Sequence, residues 1–349
     1  MDKNSKLKNL IDKNQSLSIS RFINLCLYEK KFGYYHNKII GSDFTTSPEI
    51  SQLFGECVSI FFTSVIQKIG IIKNFYELGS GNGTLAKDLV KTLNKLNNFE
   101  FNLFIHEKSE NLNLDSLNDL AEVIFLKKKK RFILPMEPIF FIGNEFFDSL
   151  PVNQFEKTKN SIFERRISYN NNKFKIFLKE SPHILLSDKN YKNGDIIEDS
   201  PQSKLYLKKI FKHLKVFGEG LLIFDYGPFK KKNISTIQAI HTKKKSCFLD
   251  FPYESDITYH IDFEAIKNLS KKFNLNFYGP ITQKKFLYFN GINERLENLK
   301  KNSRSKKVRE DLNSQFLRLT DPFGMGDLIK CVYIAKNKIN LDYFNYGKQ

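Results

Sequence analysis

Hydrophobic residues recur at helical spacing over residues 50–69. Ser47, Pro48 and Glu49 precede this stretch and supply a helix cap, a proline at the first helical position and an acid in the first turn. Gly70 follows this stretch and is expected to end the helix. The pattern therefore predicts one long amphipathic helix that packs on a core.

Short hydrophobic runs bounded by turn residues follow this helix, and helical patterns separate the early ones. They span residues 73–78, 101–106, 121–126, 138–143, 220–226, 273–278 and 328–335. This alternation predicts a doubly wound α/β fold with a mostly parallel sheet of about seven strands. The interval 151–219 is too long for one crossover. Its alternating pattern, with a turn at 170–172, predicts a β-rich insertion between strands 4 and 5, followed by a helix near 201–216.

Charge and composition narrow the function only slightly. The 349 residues include 56 Lys+Arg and 38 Asp+Glu, a net charge of +18, which would suit nucleic acid, an acidic partner or anionic lipid. The excess is spread along the chain beside abundant Asn, Ile and Phe, which favours a compositional bias. Dense basic runs occur at 127–131 and 300–309, and the second is a candidate basic helix for an acidic partner.

Targeting and metal signals are missing from the pattern. The amino terminus lacks an apolar signal core, and no apolar run reaches the roughly 18 residues of a bilayer span. The four cysteines have no metal spacing and read as reduced thiols. We therefore expect a soluble cytoplasmic protein with no metal site.

The stretch "FYELGSGNGTLAKDLV" at 75–90 is a strand, a glycine turn and a helix start. Gly79, Gly81 and Gly83 allow a close approach of the backbone to a ligand. The third glycine follows the second by two positions, unlike the GxGxxG of dinucleotide enzymes. An acid, Glu77, before GxGxG is the arrangement seen in S-adenosylmethionine methyltransferases, whose cationic cofactor suits a carboxylate. The alternative is a glycine turn that binds nothing.

A second carboxylate follows the next strand. Glu107 comes about 30 residues after Glu77, at the end of "LFIHE". An acid in this place can accept hydrogen bonds from both ribose hydroxyls of a nucleoside. We predict that role for Glu107, with an exposed strand end as the alternative.

The fourth strand ends in "GNEFFDSLPV". Polar groups directly after a buried strand lie at the mouth of the cofactor cleft, so Asn144, Glu145 and Asp148 are predicted catalytic residues. Asn144 is also a candidate cofactor contact, and Phe146 and Phe147 are predicted walls. Asp148 could instead cap the following helix.

Residues on other segments form a second rank of candidates. Asp43, Ser47 and Glu49 lie on the loop and helix that we expect to fold over the cofactor. Asp225 and Tyr226 end the fifth strand in "LLIFDYG", again at the cleft mouth. We expect these residues to contribute to the lid or to substrate binding.

Together the motifs resemble the MidA-type methyltransferases, which include a mitochondrial complex I assembly factor that methylates protein arginine. The matching stretches, over roughly residues 17–336, are "GYY", "GSDFTTSPEISQLFGE", "ELGSGNGTLAKDL", "HEKS", "NEFFDSLPVNQF", "LLIFDYG", "DITYHIDF", "TQKKFL" and "DPFGMGDLIK". Ser80, Asn82 and Lys284 depart from the family pattern. The resemblance implies a class I methyltransferase fold, S-adenosylmethionine as donor and an arginine of a complex I subunit as target.

The domain prediction follows from the fold and the resemblance. Residues 1–70 form a helical and loop segment over the cofactor cleft, residues 71–336 form the methyltransferase domain with its insertion, and residues 337–349 form a frayed tail. For an arginine substrate, Glu145 and Asp148 would orient the guanidinium and accept its proton, and Asn144 would accept a hydrogen bond from the attacking NH.

Two other functions are compatible with the sequence. "NEFF" loosely parallels the motif of enzymes that methylate base amines, although both prolines of that motif are absent, so a nucleic-acid substrate is less favoured. A cofactor-binding but catalytically silent assembly factor is the other alternative. Retention of the glycines, Glu77 and Glu107 argues against it. The oligomeric state is open.

Overall fold

The structure, a computed structural model, describes residues 3–38, 44–96, 100–108, 123–125, 132–159, 161–181 and 191–345. Its helices are α1 Lys3–Asn14, α2 Ile19–Tyr28, α3 Tyr34–Asn37, α4 Ser47–Ile50, α5 Gln52–Ile69, α6 Thr84–Leu96, α7 Pro201–Phe217, α8 Phe263–Lys272, α9 Gln283–Phe289, α10 Ile292–Asn302, α11 Lys306–Thr320, α12 Met325–Leu328 and α13 Asp342–Asn345. Among the helices of these ranges, none combines the length and hydrophobicity that a bilayer span requires.

The strands are β1 Leu17–Ser18, β2 Asn74–Leu78, β3 Asn102–His106, β4 Val123–Phe125, β5 Ile139–Asn144, β6 Asn153–Lys157, β7 Ile162–Asn170, β8 Lys173–Glu180, β9 Ile196–Asp199, β10 Glu219–Tyr226, β11 Gln238–His241, β12 Lys244–Ser246, β13 Asp256–Thr258, β14 Asn276–Thr282 and β15 Ile329–Ala335. The chain divides into two compact units. The first comprises Met1–Phe44, Asp148–Tyr206 and Lys231–His260, and the second Thr45–Phe147, Leu207–Lys230 and Ile261–Gln349.

The domain boundaries expected from the sequence follow different lines from this division. The expected N-terminal segment 1–70 is shared between the units, and the expected insertion 151–219 contributes to both. The three-part organisation therefore stays a prediction.

The second unit contains the predicted seven-stranded sheet, in the order β14-β15-β10-β5-β2-β3-β4. Strands β10, β5, β2, β3 and β4 are parallel, and β15 runs antiparallel to β10 and β14. Each predicted hydrophobic run overlaps one strand, although β14 begins and ends later than the run at 273–278. The structure thus confirms the doubly wound α/β fold class.

Strand register places four chain segments at one edge of this sheet. Leu78 of β2 pairs with His106 of β3 on one side and with Gly143 of β5 on the other. Asn144 pairs with Phe224 of β10. Because these strands are parallel, the residues that follow them emerge at the same carboxyl edge, where ligands bind in open α/β sheets.

One face of the sheet is covered by the helix predicted from the hydrophobic period. Phe62 of α5 packs against Phe75 and Phe140, with ring centroids 5.3 and 4.9 Å apart. The single helix predicted after Ser47 is in fact two, because Ser51 is extended, at φ −163° and ψ 143°, and its side chain caps α5 at Leu53 N. Serine side chains commonly divert the backbone in this way.

The sheets of the first unit are antiparallel, and this unit contains the strands of the predicted β-rich insertion. Its five-stranded sheet has the order β1-β7-β6-β9, with β8 paired to β7, and a second sheet has the order β12-β11-β13. Asn171 and Asn172, at φ 51° and 58°, turn β7 into β8. This confirms the turn predicted at 170–172, since asparagine tolerates the left-handed conformation better than most residues.

The carboxyl-terminal segment differs from the frayed tail that the sequence suggested. Ile339, Leu341 and Phe344 are buried in the core cluster of the second unit. The basic run 300–309 is broken between α10 and α11, where Ser305 caps α11 at Val308 N. The other basic run, at 127–131, lies outside the described residues.

Candidate active site

The glycine turn between β2 and α6 is built on left-handed backbone. Gly79, Gly81 and Gly83 have φ of 68°, 54° and 76°. The Gly79 amide donates to the His106 carbonyl at 2.8 Å, which ties the turn to the end of β3. Side chains at all three places would be strained, so these glycines keep the main chain bare at the edge where a ligand approaches.

Glu77 is buried directly beneath this turn. Its side chain is 3% exposed, and within the described part of the chain its Oε2 atom has no hydrogen-bond partner. Burial first, and then the nearby Glu107, raise the pKa of the Glu77 carboxyl to about 8. A buried carboxylate is costly without a donor or a cation, so the position favours a positively charged ligand.

The predicted ribose-binding acid lies at the same turn. Oε2 of Glu107 accepts a hydrogen bond from the Gly81 amide at 3.2 Å. The structure therefore brings Glu77, Glu107 and the glycine turn together, as the sequence predicted.

Phe146 shapes the turn from the β5 side. A Cβ atom built on Gly79 would lie 2.7 Å from Cδ2 of the Phe146 ring. That separation is well below ordinary carbon–carbon contact. The wall predicted for Phe146 is thus in direct contact with the glycine turn, and a side chain at position 79 would force the ring or the turn to shift.

The end of β5 presents an amide and a carboxylate side by side. Asn144 Nδ2 donates to Glu145 Oε1 at 3.2 Å, while the buried Asn144 Oδ1 has no hydrogen-bond partner among the residues that the structure describes. Glu145 has a φ of 50°, which is rare outside glycine. Its backbone amide donates to the Phe224 carbonyl at 2.8 Å, so β10 holds this unusual turn in place.

Residues from distant segments fix the Glu145 carboxylate. The Ser47 amide donates to Glu145 Oε1 at 3.3 Å, and the Ser47 hydroxyl donates to Gln283 Oε1 at 2.8 Å. Gln283 is fully buried and its amide donates to the Leu319 carbonyl at 3.1 Å. Sequence reasoning missed Gln283; its only signal was its place in the family stretch "TQKKFL".

Glu49 joins α4 to the start of α6. Its Oε1 atom accepts hydrogen bonds from Thr84 Oγ1 at 2.7 Å and from Asn82 Nδ2 at 3.3 Å. Beside these residues a cleft of about 690 Å³ is lined by α4, the glycine turn and parts of α10 and α11. Glu49 therefore lies next to the predicted cofactor residues, as expected. Asp43 lies outside the described residues.

The two residues that end β10 have different surroundings. Asp225 is fully buried, and its carboxylate accepts hydrogen bonds from the amides of Phe147 and Tyr226, each at 2.9 Å. These contacts hold the loop after β5 in place. Asp225 therefore has a structural role in the interior, whereas the sequence suggested a role in the lid or in substrate binding. Tyr226 lines a separate cavity of about 630 Å³.

Asp148 belongs to the first unit and is almost completely buried. Its carbonyl accepts a hydrogen bond from the Tyr259 amide at 3.1 Å. Burial above all, then Asp256 and, among smaller causes, Asp148 raise the pKa of Tyr35 well above its usual range. Asp148 therefore lies near a tyrosine and a second aspartate of its own unit, a neighbourhood that the sequence did not indicate.

Comparison with known proteins agrees with this arrangement. Residues 57–281 match the sequence model of the family described as putative S-adenosyl-L-methionine-dependent methyltransferases. The chain belongs to this family. It is a methyltransferase that uses S-adenosylmethionine, and its sheet is that of the class I methyltransferase fold. The predicted fold and cofactor are confirmed.

Individual relatives extend the likeness over nearly the whole chain. The chain is 26% identical to a Caenorhabditis elegans protein named protein arginine methyltransferase NDUFAF7 homolog, mitochondrial, over 93% of this chain and 85% of that one. It is also 26% identical to human NDUFAF7, over 89% and 78%. A Burkholderia thailandensis structure with bound S-adenosylhomocysteine has a TM-score of 0.81 at 20% identity, covering 95% of this chain and 91% of that one.

These names also correct one expectation. The predicted cytoplasmic location is wrong by this comparison, because the relatives are mitochondrial proteins. The sequence argument excluded a secretory signal and an apolar span, and neither exclusion separates the cytosol from a mitochondrion.

The described residues fit the cofactor. S-adenosylmethionine carries a sulfonium, an ammonium group and ribose hydroxyls, and it has no phosphate. Glu77 Oε2, which has no hydrogen-bond partner in the described ranges, can accept from a cationic donor, Glu107 can accept from hydroxyls, and the glycine turn offers unshielded backbone. Within the described ranges, no group of three or more His, Cys, Asp or Glu side chains could hold a metal ion.

Proposed function

We propose that the chain methylates an arginine side chain of a protein, with a subunit of respiratory complex I, which the family resemblance implies, as the candidate target. The observation that carries the proposal is the end of β5, where a positioned carboxylate, Glu145, adjoins an amide oxygen, Asn144 Oδ1, that has no hydrogen-bond partner among the described residues. The names of the relatives, protein arginine methyltransferases, support the same substrate class.

The cofactor residues in this proposal are the glycine turn and three side chains at the strand ends beside it. Glu77 would accept from the ammonium group, Glu107 would accept from the ribose hydroxyls, and Asn144 would border the same pocket. When bound, S-adenosylmethionine supplies a methyl group on a positively charged sulfur. The chain itself supplies position, and alignment of reacting groups can contribute about 7 to 11 kcal/mol in well-oriented cases.

Arginine adds a demand that the residues at the end of β5 can meet. Its guanidinium has a pKa above about 12, so one nitrogen must be relieved of a proton before it can act as a nucleophile. In our proposal Glu145 holds the guanidinium and accepts that proton, while Asn144 Oδ1 accepts a hydrogen bond from the attacking NH. Asp148 is retained as the second candidate carboxylate.

The orientation of the Glu145 carboxylate is fixed by neighbouring residues before a substrate binds. Two hydrogen bonds, from the Ser47 amide and the Asn144 amide group, converge on its Oε1 atom. A carboxylate held in this way keeps one orientation while a substrate enters, which lowers the entropy lost in reaching the reactive geometry.

Transfer of a labelled methyl group tests the proposal. The purified protein is incubated with methyl-labelled S-adenosylmethionine and lysate of cells that lack its gene, with and without nuclease, and labelled material is hydrolysed for amino-acid analysis. We expect a labelled polypeptide that survives nuclease and yields methylarginine. Label lost with nuclease would instead indicate a nucleic-acid substrate, and no label in any fraction would favour a silent assembly factor.

A further inference from the structure

The short helix α4 bridges the glycine turn and the end of β5 within the second unit. At its first residue, the Ser47 amide donates to Glu145 Oε1 at 3.3 Å. Two residues later, Glu49 Oε1 accepts from Thr84 Oγ1 at 2.7 Å and from Asn82 Nδ2 at 3.3 Å. Thr84 directly follows the last glycine of the turn and begins α6. One helix of four residues therefore contacts both the predicted cofactor turn and the carboxylate that we assign to the acceptor arginine.

The backbone of α4 is weakly held by its own helix. Its cap residue, Thr46, makes no side-chain hydrogen bond to it, and the extended Ser51 separates it from α5. Helices shorter than about 12 residues are marginal without outside support. The buried Pro48 and Ile50 supply part of that support through apolar contact, which is not directional. Hydrogen bonds, which depend on angle, must therefore set the orientation of α4.

The hydrogen bond from α4 to Glu145 is sensitive to small displacements. Its donor–acceptor distance is 3.3 Å. Such bonds usually span about 2.7 to 3.2 Å, so a small shift of α4 away from β5 would break this one. Two anchors oppose that shift. The Ser47 hydroxyl donates to Gln283 at 2.8 Å, and on the side of the glycine turn Glu49 accepts from Thr84 at 2.7 Å.

We infer that Glu49 is a positioning residue for methyl transfer. It accepts the hydrogen bonds that fix α4 to the start of α6, so that the Ser47 amide holds the Glu145 carboxylate in one orientation beside the cofactor turn. The negative charge of Glu49 is not required for this task, because an amide oxygen accepts the same two hydrogen bonds. The inference rests on the proposed function for the role of Glu145. It goes further by assigning to Glu49 a task other than contact with the substrate.

A different role would use the charge of Glu49. The cleft of about 690 Å³ beside it is also lined by Lys87 and Asp88, and a carboxylate there could bind a guanidinium. The two roles predict opposite results for two substitutions. Glu49→Gln keeps both hydrogen bonds and removes the charge. Thr84→Val keeps the charge and removes the shorter hydrogen bond, since valine has the shape of threonine without the hydroxyl.

Four variants of the whole chain test the inference: Glu49→Ala, Glu49→Gln, Thr84→Val and the control Thr158→Val. The control removes a threonine hydroxyl that donates to the Ser161 carbonyl at 3.0 Å, in the turn between β6 and β7. The rate of methyl transfer from labelled S-adenosylmethionine, at saturating cofactor, is measured with untreated lysate of cells that lack the gene. Affinity for S-adenosylhomocysteine is measured in parallel by calorimetry.

We expect Glu49→Ala and Thr84→Val to lower the rate about five- to tenfold, because a loosened carboxylate loses part of the gain from alignment, while S-adenosylhomocysteine affinity stays within about threefold. Glu49→Gln should recover most of this loss, and the control should keep the wild-type rate. A low rate in Glu49→Gln together with a wild-type rate in Thr84→Val would overturn the inference, since the charge would then matter and the hydrogen bond would not. A wild-type rate in Glu49→Ala would overturn it as well.

The Ser47 amide reports the same contact without turnover. Two-dimensional NMR spectra are recorded on protein that contains ¹⁵N-labelled serine, and the Ser47 signal is assigned as the one that Ser47→Ala removes. Glu145→Ala, which removes the acceptor, calibrates the shift of the amide proton for a broken hydrogen bond. We expect this proton to move toward the calibrated position in Glu49→Ala and Thr84→Val, and to stay near its wild-type position in Glu49→Gln and the control.

This measurement separates the two proposals. The expected shifts would support the positioning role of Glu49 even if no methylarginine is formed, an outcome that would remove only the proposed function. An unmoved Ser47 signal in Thr84→Val would remove the inference and leave the proposed function standing.

Discussion

The ring of Phe146 packs so closely on Gly79 that a methyl group at position 79 would lie 2.7 Å from its Cδ2 atom. Gly79→Ala should therefore lower the free energy of unfolding by about 2 to 5 kcal/mol, the sum of left-handed strain and overpacking. In a Phe146→Leu background the cost should fall by about 1 to 2 kcal/mol. Urea unfolding of the four proteins measures this coupling.

A glycine of similar backbone but open surroundings provides the control. Gly291 has a φ of 79°, and among the described residues a Cβ there would meet only Glu294 Oε2, at 3.7 Å. Gly291→Ala should cost the same with Phe146 or Leu at position 146. If Gly79→Ala behaves in the same way, the packing of Phe146 is not what requires glycine.

Gly81→Val should abolish cofactor binding while the protein still folds, because the branched side chain enters the space that we assign to the nucleoside. Gly291→Val is the matched control: Gly291 is left-handed, at φ 79° and ψ 29°, and among the described residues the nearest atom to a Cβ there is Glu294 Oε2, at 3.7 Å. Both variants should lose about 1 to 2 kcal/mol of stability from left-handed strain. Calorimetric titration with S-adenosylhomocysteine should detect binding only in the control, and equal affinity in the two would contradict the assignment.

Glu77 should make the cofactor-free protein less stable as the pH rises. Its pKa is raised by burial and by Glu107 from 4.5 to about 8, so the folded state keeps a proton that the unfolded state releases. The unfolding free energy should fall between about pH 4.5 and 8, by at most about 5 kcal/mol, and then level off. Glu77→Gln should lack this component, and urea titrations of both proteins at pH 5.5 and 8.5 measure it.

The same carboxyl links proton release to the cofactor. A cation beside Glu77 favours the ionised form, so binding at pH 7 should release a proton from the wild-type protein. Titrations in two buffers of different ionisation enthalpy should show this release, and Glu77→Gln should not. Equal proton release by both proteins would place the coupled group elsewhere.

Glu145→Gln should lower kcat for protein methylation by about 100-fold or more, since the amide cannot accept a proton. Affinity for S-adenosylhomocysteine should be nearly unchanged. Glu137→Gln is the control, because Glu137 accepts from Asn74 at the amino end of β2, at the opposite edge of the sheet. Similar kcat values for the two variants would exclude Glu145 as the base.

Gln283→Leu should destabilise the fold and also reduce turnover. The change leaves the Ser47 hydroxyl and the Leu319 carbonyl without the partners seen here, at a cost of about 1 to 3 kcal/mol. Turnover should fall several-fold because Ser47 positions Glu145. Gln154→Leu, at a glutamine of the first unit that is equally buried, should match the stability loss without the loss of kcat at temperatures where both variants are folded.

The sequence predicted the fold well because the signals were local. Hydrophobic runs and glycine turns marked all seven strands of the large sheet, and the parallel order brought Glu77, Glu107, Asn144 and Glu145 to one edge. The hydrophobic period was a less reliable guide to helix boundaries, where the side chain of a single residue can decide where a helix begins or ends. Ser51 interrupts the helix that the hydrophobic period predicted, through a hydrogen bond that periodicity does not encode.

The parts that were missed depend on contacts between distant segments. Gln283 reaches Ser47 across 236 positions, and such a pairing leaves no periodic trace in a single sequence. Asp225 was expected at a cleft mouth, but the amides of Phe147 and Tyr226 bind its carboxylate in the interior. A strand-end acid can serve a ligand or the backbone, and residue type alone does not separate these roles.

The left-handed backbone at Glu145, at φ 50°, has an evolutionary consequence. Asparagine adopts this conformation more readily than glutamate, but its shorter side chain would leave the buried Ser47 amide without the acceptor that Glu145 provides. Glu145→Asn should therefore exchange relief of backbone strain for a lost hydrogen bond and leave the melting temperature nearly unchanged. A relative that had lost its enzymatic task would then feel little pressure from stability to replace this glutamate, and its retention would not by itself prove activity.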